Sequence, residues 1–191
     1  MRDMKSKLFM GVLFVLGMAF TSFTQDIKSH GVTFPAKMKI NDKVVKYNGS
    51  GLREKYFFDL YVSALYLTET SSDAKSIINA DQEMCIRIKL VSDKVTRDKF
   101  VETVKEGFEN SSEGKATESE INGFMEFFSK QFKSGDDIIL IYKPGVGVQA
   151  FMNGEKLGTQ SGIEFKKALW AIWFGDTPAD KGLKSAMLGK V

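Results

Sequence analysis

Hydrophobic and polar residues alternate along the first half of the chain with the two-residue period of half-buried strands. Lys37–Ile40 and Lys43–Tyr47 flank Asn41-Asp42, two residues that tolerate the positive φ of a tight turn, and so predict a hairpin. After the loop Asn48-Gly49-Ser50-Gly51, the stretch Arg53–Leu67 is rich in aromatic residues and reads as one long strand. Its even positions, Tyr56, Phe58, Leu60, Val62, Ala64 and Tyr66, form a nearly unbroken apolar face. Arg53, Lys55, Phe57, Asp59, Tyr61 and Ser63 occupy the more polar face. A bulge in so long a strand exchanges the two faces.

The period then lengthens. Ser72–Ala80 predicts a short helix with Ser72 as its cap, and Glu83–Val91 returns to strand character. Thr96 caps a helix in which Phe100, Val101, Val104 and Phe108 recur at three- and four-residue spacing. Thr117 and Glu120 match a capping box ahead of the stripe Ile121, Phe124, Met125, Phe128 and Phe132. Asp137–Tyr142 and Val146–Met152 predict strands around Pro144-Gly145, and Asn153-Gly154 pairs the second of them with Glu155–Gly158. Ser161–Phe174 is amphipathic, with Phe165, Leu169, Ile172 and Trp173 on one side. A last helix is expected from Thr177-Pro178. Antiparallel hairpins interrupted by a block of helices indicate an α+β layer fold.

Residues 1–24 change the accounting. Arg2, Lys5 and Lys7 precede the uncharged run Leu8–Phe20, and Ser22-Phe23-Thr24 offers small residues at alternate positions, the pattern of a cleaved export signal. The run is shorter than the roughly 20 residues that span a bilayer, so no stable anchor is expected after cleavage. The 191-residue chain carries +3, but three bases and one acid fall within 1–24, so residues 25–191 are nearly neutral and form the expected folded domain. That charge gives no footprint for nucleic acid. One cysteine excludes an internal disulfide framework, and one cysteine with one histidine excludes the usual zinc sites. Cys85, within Met84–Ile88, reads as a small core residue, and His30 as a surface or locally hydrogen-bonded one.

Candidate chemistry is sparse. The chain has no G-x-S-x-G elbow, no P-loop and no G-x-G-x-x-G after a strand. Arg53 stands out because it follows a glycine-containing loop and opens the most aromatic stretch. Arginine keeps its charge and presents a planar fork that holds a carboxylate, phenolate or enolate through two hydrogen bonds. The aromatic stripes of the helices form a core under the sheet, and a cleft between the two layers would suit a flat polyphenol or an acyl chain.

Gly31-Val-Thr-Phe-Pro35, Asn48-Gly-Ser-Gly-Leu-Arg53 and the stretch Phe57–Leu67 ending Ala64-Leu-Tyr-Leu together resemble the chalcone isomerase family, closest to its bacterial chalcone isomerase-like branch. The resemblance continues through Gly107-Phe108-Glu109, Tyr142-Lys-Pro-Gly145, Val148–Gly154 and Phe165–Gly175, in order along essentially all of residues 25–191. It implies an open-faced β-sandwich, a large antiparallel sheet with helices packed on one face. In plant enzymes of this family the arginine matching Arg53 stabilises negative charge on a chalcone, while a threonine and a tyrosine hydroxyl assist the enone oxygen. The threonine position aligns with Tyr61. The tyrosine position falls near Lys99 or Phe100, and the position of a nearby asparagine around Glu106.

The family also holds non-catalytic members that bind fatty acids, with the same arginine on the carboxylate. The resemblance therefore implies an exported, periplasmic or extracellular protein that binds a fatty acid or similar apolar anion. Arg53, Tyr61 and Phe57 are the expected ligand-binding residues, and no cofactor or metal is implied. Two alternatives remain open. One is an isomerase (intramolecular lyase) of the chalcone type with Arg53 and Tyr61 as its catalytic residues; the other is a structural or partner-binding domain. The oligomeric state is not legible in the sequence.

Overall fold

The computed structural model describes residues 25–190, and the expected signal at 1–24 lies outside the described residues. The strands are β1 (Asp26–Ser29), β2 (Val32–Pro35), β3 (Lys37–Ile40), β4 (Lys43–Lys55), β5 (Phe58–Leu67), β6 (Met84–Leu90), β7 (Asp137–Lys143), β8 (Gly147–Met152) and β9 (Glu155–Gln160). The helices are α1 (Ala74–Asn79), α2 (Arg97–Glu109), α3 (Glu118–Glu126), α4 (Ile163–Phe174) and α5 (Lys181–Met187). Strands β3 to β9 form one seven-stranded antiparallel sheet in chain order, and β1 and β2 form a separate hairpin. This meander, with α1 inserted after β5 and α2–α3 after β6, is the expected α+β sheet-and-helix architecture.

The helices cover one face of the sheet. Ile86 and Ile88 of β6, Leu140 of β7 and Ala150 of β8 pack with Phe124, Phe165, Leu169 and Trp170 in the main core. Phe100 lies 5.1 Å from both Phe128 and Phe132 in edge-on contacts, each worth about 0.5–1.5 kcal/mol beyond the area it buries. The predicted stripe of α3 thus reaches its core position although the helix stops at Glu126; its last two rings are carried by the segment that follows.

On the opposite face the β1–β2 hairpin forms a second, smaller core. Phe34 packs there with Val45, Val62, Ala64, Tyr66 and Cys85, and the Tyr66 hydroxyl donates to the Pro35 carbonyl at 3.0 Å. Of the apolar even positions of the predicted long strand, Val62, Ala64 and Tyr66 serve this outer core, whereas Phe58 and Leu60 lie on the helix side. Leu65 and Leu67, at odd positions, face the helices.

The expected strand Arg53–Leu67 is in fact two strands. The chain reverses at Tyr56-Phe57, whose φ values are +52° and +66°. Neither residue carries the usual turn chemistry, so residue type gave no warning. The β1–β2 hairpin also went unpredicted; its turn is His30-Gly31, again at positive φ. Helix starts are corrected at two places. Asp73, not Ser72, caps α1 by accepting from the backbone N–H of Lys75 and Ser76. Asp180 caps α5, which begins after the expected Thr177-Pro178. The Thr96 cap and the Thr117–Glu120 capping box stand as predicted.

Lys166 lies fully buried in the first turn of α4. Its Nζ donates to the carbonyls of Ile77, Ile78 and Ala80 at 2.8–3.1 Å, tying α4 to the C-terminal end of α1. Tyr142 and Trp170 present their rings to the same amine. Those carbonyls lack partners within their own short helix, so the lysine supplies what the helix end cannot.

Candidate functional site

Arg53 and Tyr61 are direct partners across the β4–β5 hairpin. The two-residue turn and a register shift after Arg53 set that pairing, and the shift is the bulge that the apolar pattern allowed for. The guanidinium carbon of Arg53 stands 5.9 Å from the centre of the Tyr61 ring. Both side chains project to the helix side, where α2 and α4 stand away from the hairpin and leave a cavity of about 470 Å³. Phe58, Leu60, Phe100, Val104, Ile172 and Trp173 supply its apolar wall.

Within that wall the polar groups converge. Arg53 is only 7% exposed, and its Nη1 is buried without a hydrogen-bond partner. Among the described residues no carboxylate pairs with it. Trp173 Nε1 is likewise buried and unpartnered. Burial pushes the Tyr61 phenol above its usual range, and the neighbouring Arg53 charge offsets part of that rise. Tyr61 therefore stays protonated at neutral pH and acts as a hydrogen-bond donor. Three donors, one of them permanently charged, face a cavity with no carboxylate held against them. Such a site accepts the oxygens of an anion.

The cavity brings together two of the three expected ligand-binding residues. Phe57 is separated from them: it forms the tip of the hairpin, is fully exposed and is not part of the cavity wall. The expected single strand put Phe57 on the same face as Arg53, and the turn removes it. Its neighbours Tyr56 and Phe58 take up the lining instead. Lys99, Phe100 and Glu106, the positions matched to the plant tyrosine and asparagine, also border the cavity, together with Thr103. Trp173 was legible only as part of an apolar helical stripe. The signal available was its indole N–H, a donor that a wholly apolar face cannot satisfy.

His30 sits in the β1–β2 turn, hydrogen-bonded through Nδ1 with Ser29 Oγ at 3.0 Å, remote from this chemistry. Cys85 is buried in the outer core, and burial pushes its thiol well above the ordinary range.

Fold and cavity define an antiparallel sheet with helices on one face and an arginine-centred cluster of donors between the layers. The chalcone isomerase-like family model matches residues 26–189, and the chain belongs to that family. Among solved structures it is similar to a fatty-acid binding protein of Arabidopsis thaliana, at a TM-score of 0.69 and 18% identity, over 86% of this chain and 96% of that one. No curated protein sequence matches it.

Proposed function

We propose that this protein binds a fatty acid or a similar apolar anion, with the anionic group on Arg53, Tyr61 and Trp173 and the chain along the apolar wall. The buried, uncompensated guanidinium of Arg53 carries this reading. An unpaired charge taken out of water costs several kcal/mol, and the anion of a ligand offsets that cost where no protein carboxylate does. The cavity volume falls within the roughly 300–1,000 Å³ of small-molecule sites, and Phe58, Leu60, Phe100, Val104 and Ile172 give it an apolar stretch for a chain. One solved plant structure that shares the fold is a fatty-acid binding protein, which agrees with this reading.

The chalcone-type isomerase reading is less well supported. It asks for a tyrosine hydroxyl near Lys99 or Phe100, and the only hydroxyls on the cavity wall besides Tyr56 are those of Tyr61 and Thr103. Tyr61, with its raised pKa, donates a hydrogen bond, which suits an enone oxygen as well as a carboxylate and does not separate the two readings. Export remains part of the proposal, on the basis of the basic start and apolar run of residues 1–24.

Titration calorimetry with saturated fatty acids of increasing length tests the binding. Affinity that rises with chain length up to a limit, and that is lost when the methyl ester replaces the acid, is the expected result. Equal affinity for acid and ester would overturn the role given to Arg53. N-terminal sequencing of protein recovered outside the cytoplasm, beginning near residue 25, is the expected outcome for export; an intact Met1 would overturn it.

A further inference from the structure

The described chain contains three tight turns with a non-glycine residue at positive φ followed directly by a second positive φ: His30-Gly31, Asn153-Gly154 and Tyr56-Phe57. The first two end on glycine, which accepts that backbone without steric cost. The third places two large aromatic residues where L side chains are disfavoured. Its rings are not hidden: Phe57 is 103% exposed, Tyr56 80% and Phe58 50%. The hairpin thus holds an unfavourable turn and displays three adjacent aromatic side chains to solvent.

Charges of both signs surround them, but lysines alone lie against the rings. Lys55 lies over the Tyr56 ring at 5.6 Å and Lys94 over the Phe58 ring at 5.2 Å. Lys55, Lys94 and Lys99 all border the cavity, as do Tyr56 and Phe58, so the tip stands at the cavity's mouth. Glu54 and Asp59 are cross-strand partners outside the cavity wall, and Glu102 and Glu106 border it on α2. Arg53 is buried and adds nothing to this surface, so the cationic character is local to the rings, where Lys55 and Lys94 sit. Aromatic rings with lysines at their edge match a lipid interface, where rings enter the headgroup layer and the cations meet anionic lipid. No described helix is long and apolar enough to cross a membrane, so such a contact would be peripheral.

We infer that the β4–β5 hairpin tip docks on anionic lipid bilayers and sets the mouth of the cavity against the membrane surface. The tip and its lysines carry this independently of what the cavity holds. If the cavity takes an acyl chain, the same contact places the site where such chains are exchanged.

The test is sedimentation of the protein, without added fatty acid, with phosphatidylglycerol–phosphatidylcholine vesicles, beside pure phosphatidylcholine vesicles and a lipid-free control. Wild type is expected to pellet with the anionic vesicles, with at least a fivefold lower partition coefficient on phosphatidylcholine or in high salt. The double variant Y56N/F57G installs an ordinary turn sequence, so it is expected to fold at least as stably while partitioning falls tenfold or more. The variant Lys94→Gln is expected to weaken binding to anionic vesicles alone. Arg53→Ala, which tests the anion site, is expected to leave vesicle binding unchanged, so failure of one reading is distinguishable from failure of the other. Equal partitioning of wild type and Y56N/F57G would overturn the docking. So would absence of wild type from both vesicle pellets, or pelleting without lipid, which would mark the tip as a contact between protein molecules.

Discussion

Arg53 and Tyr61 face one another across the β4–β5 hairpin, with the guanidinium 5.9 Å from the phenol ring. Seven residues separate them in the chain, and they meet because the turn at Tyr56-Phe57 folds one strand back on the other. The pair joins a permanent cation to a phenol that burial keeps protonated. From it follow the functional predictions.

Arg53→Ala is expected to weaken fatty-acid affinity by about 10- to 100-fold, the worth of a hydrogen bond to a charged group. It should leave the ligand-free protein as stable as wild type or more so, because it removes a buried charge that has no carboxylate partner. Calorimetric titration and thermal melts of the same samples check both. A large loss of stability in the ligand-free variant would show that the guanidinium is a structural group.

Trp173→Phe keeps the ring and removes the donor. Fatty-acid affinity is expected to fall about fivefold, within the range of one neutral hydrogen bond, with little change in melting temperature. In wild type the emission of Trp173 is expected to shift on ligand binding, and Trp170→Phe, which leaves Trp173 in place, should retain that shift. Loss of the shift in Trp170→Phe would remove Trp173 from the site.

Burial at Lys166 pushes its amine down to about 7. A lysine whose folded pKa lies below its unfolded value of about 10.4 is charged in both states at low pH, where burial of the charge opposes folding. Between about pH 7 and 10 the unfolded chain binds more protons than the native one, so stability rises with pH across that window. Lys166→Met is expected to cost at least about 2 kcal/mol by stranding the carbonyls of Ile77, Ile78 and Ala80. Its deficit relative to wild type should widen from pH 7 to pH 9.5. Urea titrations of both proteins at three pH values measure this.

Gly49 lies where α5 crosses β4. A Cβ there would sit 2.3 Å from the Ala186 carbonyl oxygen and 2.8 Å from that of Met187, both backbone atoms. Gly49→Ala is expected to destabilise by about 1–3 kcal/mol, the usual cost of overpacking, and to lower the melting temperature by several degrees. An unchanged melting temperature would show that α5 shifts freely on the strand.

The turn at Tyr56-Phe57 carries a stability prediction of its own. Left-handed backbone costs an L residue about 1–2 kcal/mol, so Y56N/F57G should be more stable than wild type by up to a few kcal/mol. A denaturant midpoint that rises without a change in slope is the expected signature.

Much of the fold was legible because periodicity reports which faces are buried. The caps at Thr96 and Thr117 and the Asn153-Gly154 hairpin could be read locally, since each depends on residues within a few positions of one another, whereas α4, expected to be amphipathic, is buried nearly all round from Phe165 to Phe174. The Tyr56-Phe57 reversal could not. Aromatic residues favour extended backbone, and only the pairing of β4 with β5 over the rest of their length holds this turn in place. Missing it left Arg53 and Tyr61 on a shared face for the wrong reason, along one strand rather than across two, and placed Phe57 in the site when it is the hairpin's tip. Lys166 was invisible for a similar reason: its three acceptors lie more than 80 residues away in the chain.

By itself the sequence determined the order of most strands and helices, the caps at Thr96 and Thr117, the apolar stripes of α2 and α3 and the singular position of Arg53. These follow from local propensity and short-range periodicity. Tertiary structure decided which face of β5 meets the helices, that a reversal makes Arg53 and Tyr61 partners, and that Trp173 completes their donor set. It also decided that Arg53 is buried without a counter-charge, and that follows from no local pattern. Whether a charge is paired is a matter of which distant side chains the packed chain brings within reach, and here it brings hydroxyl, indole and aromatic wall but no carboxylate partner.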